Sequence, residues 1–226
     1  MSINWKYQNK KKRRLNVEED EALIDIGDLL QKSFENVSSD ISVGGQGKIK
    51  RIDNHIYFYS DVEQGSILQL NLTLKELEKE ILSYSSKFNS EPAKIYLHIN
   101  SHGGDLYSAL SAVDTIINLK VKVVSIIEGF AASAATIISV VASERVIQKH
   151  AYMLIHQLSS GFWGKYQEFE DEAKNLDRLM KMIKEIYKEY THIKMSGKNG
   201  LNECLKHDLL WDCNECVKVG LIDRIE

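Results

Sequence analysis

The stretch Gly129-Phe130-Ala131-Ala132-Ser133-Ala134-Ala135 decides how the middle of this chain folds. Before it, residues 122–127 are apolar and β-branched, which predicts a buried strand. After it, residues 136–141 continue as a helix of small and apolar side chains. Ser133 is therefore expected at a sharp turn, beside helix N–H groups that favour an anion. Such a hydroxyl suits an acyl-transfer nucleophile, whose intermediate carries an oxyanion. A small residue packed under a tight turn is the alternative.

Composition indicates an ordinary soluble protein with one substantial domain. The chain has 226 residues, of which 43% are apolar and 27% are charged. A net charge of −3 gives no global sign of nucleic acid or an anionic membrane as a partner. The uncharged stretch 129–143 is shorter than the roughly 20 residues of a membrane span. We therefore expect neither nucleic-acid nor membrane binding.

The cysteines and the N-terminal region bear on location and domain organisation. Three cysteines near the C-terminus make no disulfide framework, and residues 1–22 contain no apolar signal sequence. A cytoplasmic protein is therefore expected. Basic residues 10–14 and acidic residues 18–21 predict a solvated tail, and residues 23–34 predict a short helix. The stretch Gly44-Gly45-Gln46-Gly47 predicts a flexible joint. We predict an N-terminal extension at 1–49 and one domain at 50–226.

Residues 50–226 alternate between strand and helix patterns. Strands are predicted at 55–59, 94–99, 122–127, 145–148 and 152–156, and helices at 72–84, 106–117 and 136–141. Repeated units of this size favour an α/β fold with parallel strands.

The longest predicted helix covers residues 167–190. Its apolar stripe comprises Phe169, Ala173, Leu176, Met180, Ile183, Tyr187 and Tyr190. Acidic residues fill its first turn and lysines its last, which matches the helix dipole. Such a helix either packs on its own domain or pairs with a copy of itself, and the pattern leaves both open.

A serine nucleophile needs a base, and the base needs an orienting acid. His156 ends an apolar strand, where a histidine can be held rigidly, although a lone histidine is more often a core residue. Asp208 and Asp212 are both candidate acids by chain order. Gly103-Gly104 also follows a strand, and its bare backbone can approach a substrate and donate N–H groups.

Three motifs together carry a specific resemblance. Residues 100–104 (Asn-Ser-His-Gly-Gly), 129–134 and 153–157 (Met-Leu-Ile-His-Gln) resemble the proteolytic subunit of the Clp protease, over residues 50–226. The resemblance implies an α/β crotonase-like spiral of strand–strand–helix units with a protruding handle helix. It also implies a self-compartmentalised serine endopeptidase that works through an acyl-enzyme.

The resemblance also implies roles for individual residues. Ser133 would be the nucleophile and His156 the general base, with Gly104 and Ala134 supplying the backbone N–H groups of the oxyanion hole. If residues 220–223 are the family's closing strand, the catalytic aspartate fifteen residues before Asp223 is Asp208.

Asp212 has a different explanation. It begins a capping-box pattern that ends at Glu215, so we predict that it caps a helix. The Cys204/His207 and Cys213/Cys216 pairs have zinc-like spacing, but Cys213 and Cys216 fall at the start of that helix. No metal or cofactor is therefore expected.

Partners follow from the same resemblance. It implies two stacked seven-membered rings of this chain, peptide and unfolded-protein substrates, and a separate AAA+ unfoldase for folded ones. His102 and Leu158 stand where the family has proline, which loosens loops beside the site. Residues 1–49 do not match the family's axial segment and could instead be propeptide-like, so the partner's identity stays open.

Three other functions are compatible with parts of the pattern. A catalytically silent subunit of a mixed ring is one, although it would not need the complete Ser133, His156 and Asp208 set. An acyl-CoA enzyme of the crotonase type shares the fold, but its enolate chemistry does not use such a triad. A signal-peptide peptidase would require a serine–lysine pair and a membrane anchor, and neither is evident.

Overall fold

The computed structural model describes residues 49–197 and 200–226 of the chain. Strands and helices alternate through this part, as the sequence pattern predicts. The strands are β1 (Ile49–Ile52), β2 (His55–Phe58), β3 (Ile95–Ser101), β4 (Val123–Ala132), β5 (Glu144–Ile147), β6 (Tyr152–Leu154) and β7 (Arg224–Ile225). The helices are α1 (Gln64–Phe88), α2 (Leu106–Asn118), α3 (Ala134–Val140), α4 (Tyr166–Tyr190), α5 (Leu201–Cys204) and α6 (Cys213–Val219).

One mainly parallel sheet organises these elements. Its strand order is β1-β2-β3-β4-β5-β7, and among these described strands the β1–β2 pair is antiparallel and the others are parallel. On the edge opposite β3, the long strand β4 pairs with two strands in succession. Residues 124–127 pair with β5, and Phe130–Ala132 pair with β6. The end of β4 therefore lies directly beside β6, which brings the turn at Ser133 close to the segment that follows Leu154.

Helix α1 is longer than the predicted 72–84. It begins at Gln64, where Glu63 and Ser66 form a reciprocal capping box, and it ends at Phe88. Ile67, Leu70, Leu74, Leu77 and Ile81 recur at helical spacing and are buried. They contribute to a hydrophobic core shared with β2, β3 and α3.

The predicted closing strand at residues 220–223 is wrong. Gly220 has a φ of 82° and caps the end of α6, and the strand begins only at Arg224. The apolar side chains of Leu221 and Ile222 are buried in the core without being part of a strand. Asp223 bonds to Arg145, whose backbone N–H lies 2.8 Å from the carboxylate.

The long helix α4 behaves differently along its length. Ile183 and Tyr187 are buried in the core of this chain, whereas the first half of the helix is largely exposed. Of the two predicted alternatives, packing against its own domain is therefore correct for the C-terminal half of α4. None of the helices within residues 49–197 and 200–226 combines the length and the apolar character that crossing a bilayer demands.

The predictions made for the N-terminal region lie outside the described residues. These are the charged tail, the helix at 23–34, the glycine joint at 44–47 and all but the last residue of the extension at 1–49. Because β1 begins at Ile49, the first described residue, the boundary between extension and domain stays a prediction.

Candidate active site

Ser133 occupies the turn that leads from β4 into α3. Its φ of 53° and ψ of −125° are unusual for a residue with a side chain. Its N–H donates to the Leu154 carbonyl at 2.8 Å, and its own carbonyl accepts from the Thr136 N–H at 3.0 Å. A backbone in this region costs about 1–3 kcal/mol and persists only where its surroundings hold it, often at functional sites.

The glycines after β3 pack against this turn. Gly103 has a φ of 90°, and a Cβ there would lie 2.5 Å from the Ala132 carbonyl oxygen and 2.8 Å from the Ser133 Cβ. Only glycine fits so close to the serine. A parallel bridge between Val62 and Gly104 uses the Gly103 carbonyl, at 2.8 Å, and the Asp105 N–H, at 2.7 Å.

This bridge orients a backbone donor. Because its bonds come from the residues on either side, the N–H of Gly104 points away from Val62. Gly104 and Ala134 both line the cavity that contains Ser133. Ala134 is the first residue of α3, so its N–H has no acceptor within that helix. Both predicted oxyanion donors therefore lie at the same cavity as the serine, and their role stays a prediction.

His156 follows β6 and lines the same cavity. Its Nδ1 lies 3.6 Å from Oδ1 of Asp208, which is an ion-pair distance but too long for a hydrogen bond. The histidine side chain is 22% exposed and the aspartate 79%. Catalytic hydrogen bonds are often long before substrate binds, so this spacing is compatible with a triad.

The loop that carries Asp208 is attached to the histidine segment at both ends. The Gln157 N–H donates to the Leu205 carbonyl at 2.8 Å. Met153 and Trp211 exchange two backbone bonds of 2.9 and 2.8 Å. Residues 205–211 therefore lie along β6, which brings Asp208 to the side of His156.

Asp212 caps a helix, as predicted. Its carboxylate accepts from the Glu215 N–H at 2.8 Å, and the Glu215 carboxylate accepts from the Asp212 N–H at 3.1 Å. This capping box opens α6. Of the two candidate acids, the structure places Asp208 beside the histidine.

Ser133 and His156 line a cavity of about 340 Å³. It lies between the start of α2, the start of α3, the segment after β6 and one face of α4. Its apolar wall includes Ile137, Leu158, Leu176, Leu179, Ile183 and Tyr187. A peptide segment could therefore lie against the serine with one side chain directed into an apolar space.

A supporting hydrogen-bond chain, which was not predicted from the sequence, joins the serine turn to α4. The Thr136 hydroxyl donates to the Ser133 carbonyl at 2.6 Å and also bonds to the hydroxyl of Tyr187. Tyr187 is fully buried, and burial raises the pKa of its phenol. The signal was available, since a buried tyrosine in an apolar stripe needs a polar partner. This chain links α4 to the serine turn.

The cysteines do not form a metal site in the described structure. Cys213 donates its thiol to the Lys149 carbonyl at 3.2 Å. Burial raises the pKa of Cys216 to about 12 and also raises that of Cys204. Among residues 49–197 and 200–226, no three His, Cys, Asp or Glu side chains are grouped to hold a metal ion.

Comparisons with known proteins identify the family. The ATP-dependent Clp protease proteolytic subunit of Deinococcus radiodurans is 28% identical over 134 residues, and the match spans 58% of this chain and only 64% of that relative. A mutant of ClpP1 from Listeria monocytogenes superposes with a TM-score of 0.64 at 22% identity, covering 77% of this chain and 91% of that one. This likeness confirms the predicted fold. The Clp protease family model matches residues 64–226, and the chain therefore belongs to that family.

Proposed function

We propose that this chain is a serine endopeptidase that hydrolyses peptide bonds through an acyl-enzyme. The observation that carries the proposal is the cavity that Ser133, with its strained backbone, and His156 both line. Asp208 lies 3.6 Å from Nδ1 of this histidine. Nucleophile, base and orienting acid are the three groups that such chemistry needs.

Each group has one task in this mechanism. The Ser133 hydroxyl oxygen attacks the substrate carbonyl while His156 takes its proton, and Asp208 holds the imidazole in the required tautomer. The N–H groups of Gly104 and Ala134 stabilise the oxyanion of the tetrahedral intermediate. The protonated histidine then gives its proton to the leaving amine. A water molecule hydrolyses the remaining ester by the same sequence of proton transfers and regenerates the serine.

Labelling with a fluorophosphonate tests the nucleophile. Wild-type protein should be labelled at Ser133 and should cleave short fluorogenic peptides, and Ser133→Ala should do neither. Ser159→Ala is the matched control, because Ser159 is an exposed serine that lines the same cavity. Normal turnover by Ser133→Ala would refute the proposal. Assembled but unlabelled wild-type protein would instead favour the catalytically silent subunit.

The active form is proposed to be two stacked seven-membered rings. The ring number comes from the resemblance, while the structure supports an interface by exposing aromatic side chains around the start of α4. Trp163, Tyr166 and Phe169 are 96%, 78% and 48% exposed, and the rings of Phe162 and Phe169 meet edge to face at 5.1 Å. An exposed aromatic patch of this kind is typical of an interface, here with a second copy of the chain.

Enclosure in a chamber would limit the substrates to peptides and unfolded chains. The sequence contains no Gly-x-x-x-x-Gly-Lys-Ser/Thr loop, so degradation of folded proteins should require a separate ATP-driven AAA+ unfoldase. Purified protein should accordingly leave a tightly folded substrate intact, and its complete digestion without nucleotide would contradict the chamber. The cytoplasmic location and the lack of cofactor, nucleic-acid and membrane partners remain predictions.

A further inference from the structure

The cavity beside Ser133 combines an apolar wall with an acidic edge. Leu176 and Leu179 of α4 contribute to the wall, and Asp105 and Glu172 are the acidic residues among the others that line it. Within the described part of the chain, no lysine or arginine lines this cavity. A purely apolar side chain would leave the acidic edge without a partner.

The two carboxylates differ in what already engages them. Asp105 caps α2 by accepting the Ser108 N–H at 2.7 Å, and the bonds from Ser108 hold its pKa below the usual value. Its carboxylate is therefore already engaged by an N–H group in the first turn of α2. Its place at the cavity does not leave it free to recognise a substrate.

Glu172 has a weaker engagement. The Ser160 hydroxyl lies 3.5 Å from its carboxylate, at the limit of a hydrogen bond, and Ser160 also lines the cavity. Among residues 49–197 and 200–226, no cationic side chain lies within ion-pair distance of Glu172. The nearby Lys174 is paired with Asp171 at 3.3 Å. The half-buried Glu172 carboxylate is thus available to a cation that enters the cavity.

We propose that this cavity, given the peptidase function above, selects a lysine or arginine side chain next to the scissile bond, with Glu172 as the specificity-determining residue. The methylene stem of either side chain packs along Leu176 and Leu179, and its charged head reaches the carboxylate. A volume of about 340 Å³ accommodates one such side chain. The substrates are therefore peptides and unfolded chains that are cut after basic residues.

Matched fluorogenic peptides test this proposal on the full-length protein. They differ only at the residue on the acyl side of the scissile bond, which is lysine, arginine, leucine or glutamate. Wild type should show the highest kcat/KM with lysine and arginine. Glu172→Gln should lower kcat/KM for these two by about tenfold or more, because a partly desolvated charge loses its partner, and should leave the leucine peptide within about twofold. Glu172→Lys should favour the glutamate peptide.

Glu170→Gln is the control, because Glu170 belongs to the same acidic turn but is exposed and does not line the cavity. It should cleave all four peptides as wild type does. A wild-type preference for leucine, or a Glu172→Gln variant with an unchanged lysine-to-leucine ratio, would overturn the specificity while leaving the peptidase intact. Absence of both cleavage and Ser133 labelling in wild type would instead remove the proposed function, and this inference with it.

Discussion

Replacing Gly103 with alanine tests whether the glycine after β3 keeps the serine turn in place. The alanine would have to adopt a φ near 90°, which costs about 1–2 kcal/mol for a residue with a Cβ. That Cβ would lie 2.5 Å from the Ala132 carbonyl oxygen, 2.8 Å from the Ser133 Cβ and 3.0 Å from the Ala134 nitrogen. These atoms belong to the backbone or to the base of a short side chain, so none can rotate away. Overpacking of this kind costs about 1–3 kcal/mol more.

The expected loss in the free energy of unfolding is therefore about 2–5 kcal/mol, or a melting temperature lower by on the order of 10 °C. Activity should fall further than stability does. Relief of the clash should move the Ala134 N–H away from the proposed oxyanion site, and loss of one such donor typically lowers kcat by about 10²–10³-fold. Thermal melting followed by circular dichroism gives the first quantity. Initial rates at a temperature where the variant is folded give the second.

Gly65→Ala is the matched control. Gly65 lies in the first turn of α1, and a Cβ added there would meet no other atom within 4 Å. Alanine should therefore be tolerated at this position, with unchanged activity and a gain in stability of up to about 1 kcal/mol. A Gly103→Ala variant with wild-type melting and wild-type rates would refute the reasoning. It would mean that the serine turn does not depend on the bare backbone beside it.

Three further predictions concern other parts of the molecule. Asp208→Asn should lower the rate of peptide hydrolysis by roughly four orders of magnitude, as in a comparable triad. Asp212→Asn should lower neither the rate nor the stability much, because asparagine also caps helices. Reversed behaviour of the two variants in the kinetic assay would contradict the assignment of Asp208 as the acid. Asp223→Asn leaves the buried Arg145 unpaired and should cost about 3 kcal/mol in urea unfolding. Burial tends to raise the pKa of Asp223, but hydrogen bonds from Arg145 prevail and lower it. The stabilisation is therefore present above the ordinary pKa of about 3.9 and is lost as the pH falls through the pKa of the folded state. An unchanged difference in unfolding free energy between wild type and variant at pH 2 would argue against it. Phe169→Glu, at the exposed start of α4, should split the assembly into smaller species by light scattering, and a fully active wild-type monomer would exclude the rings.

Local features of the chain were readable from its sequence. The β-branched run before Ser133 and the small residues after it predicted the strand-to-helix turn correctly, because backbone preference and burial pattern are set by adjacent residues. The Asp212 cap was correct for the same reason, since its one partner, Glu215, lies three residues further along the chain. The family was also recognisable, because its three motifs are short and contiguous.

Contacts between distant segments were decided only by the tertiary structure. By chain order alone Asp208 and Asp212 are both candidate acids, and the resemblance and the capping-box pattern favour Asp208. In the structure, backbone bonds tie residues 205–211 to β6 and Gln157, and Asp208 lies beside His156.

Residues 220–223 show where the family resemblance misled. It implied a closing strand there, but Leu221 and Ile222 are buried in the core, and the chain turns at Gly220, which lies against His192. Helix α4 likewise has one continuous apolar stripe, of which the sheet and its helices cover only the C-terminal half. Periodicity records which side chains avoid water, and only the assembled domain determines which surface covers them.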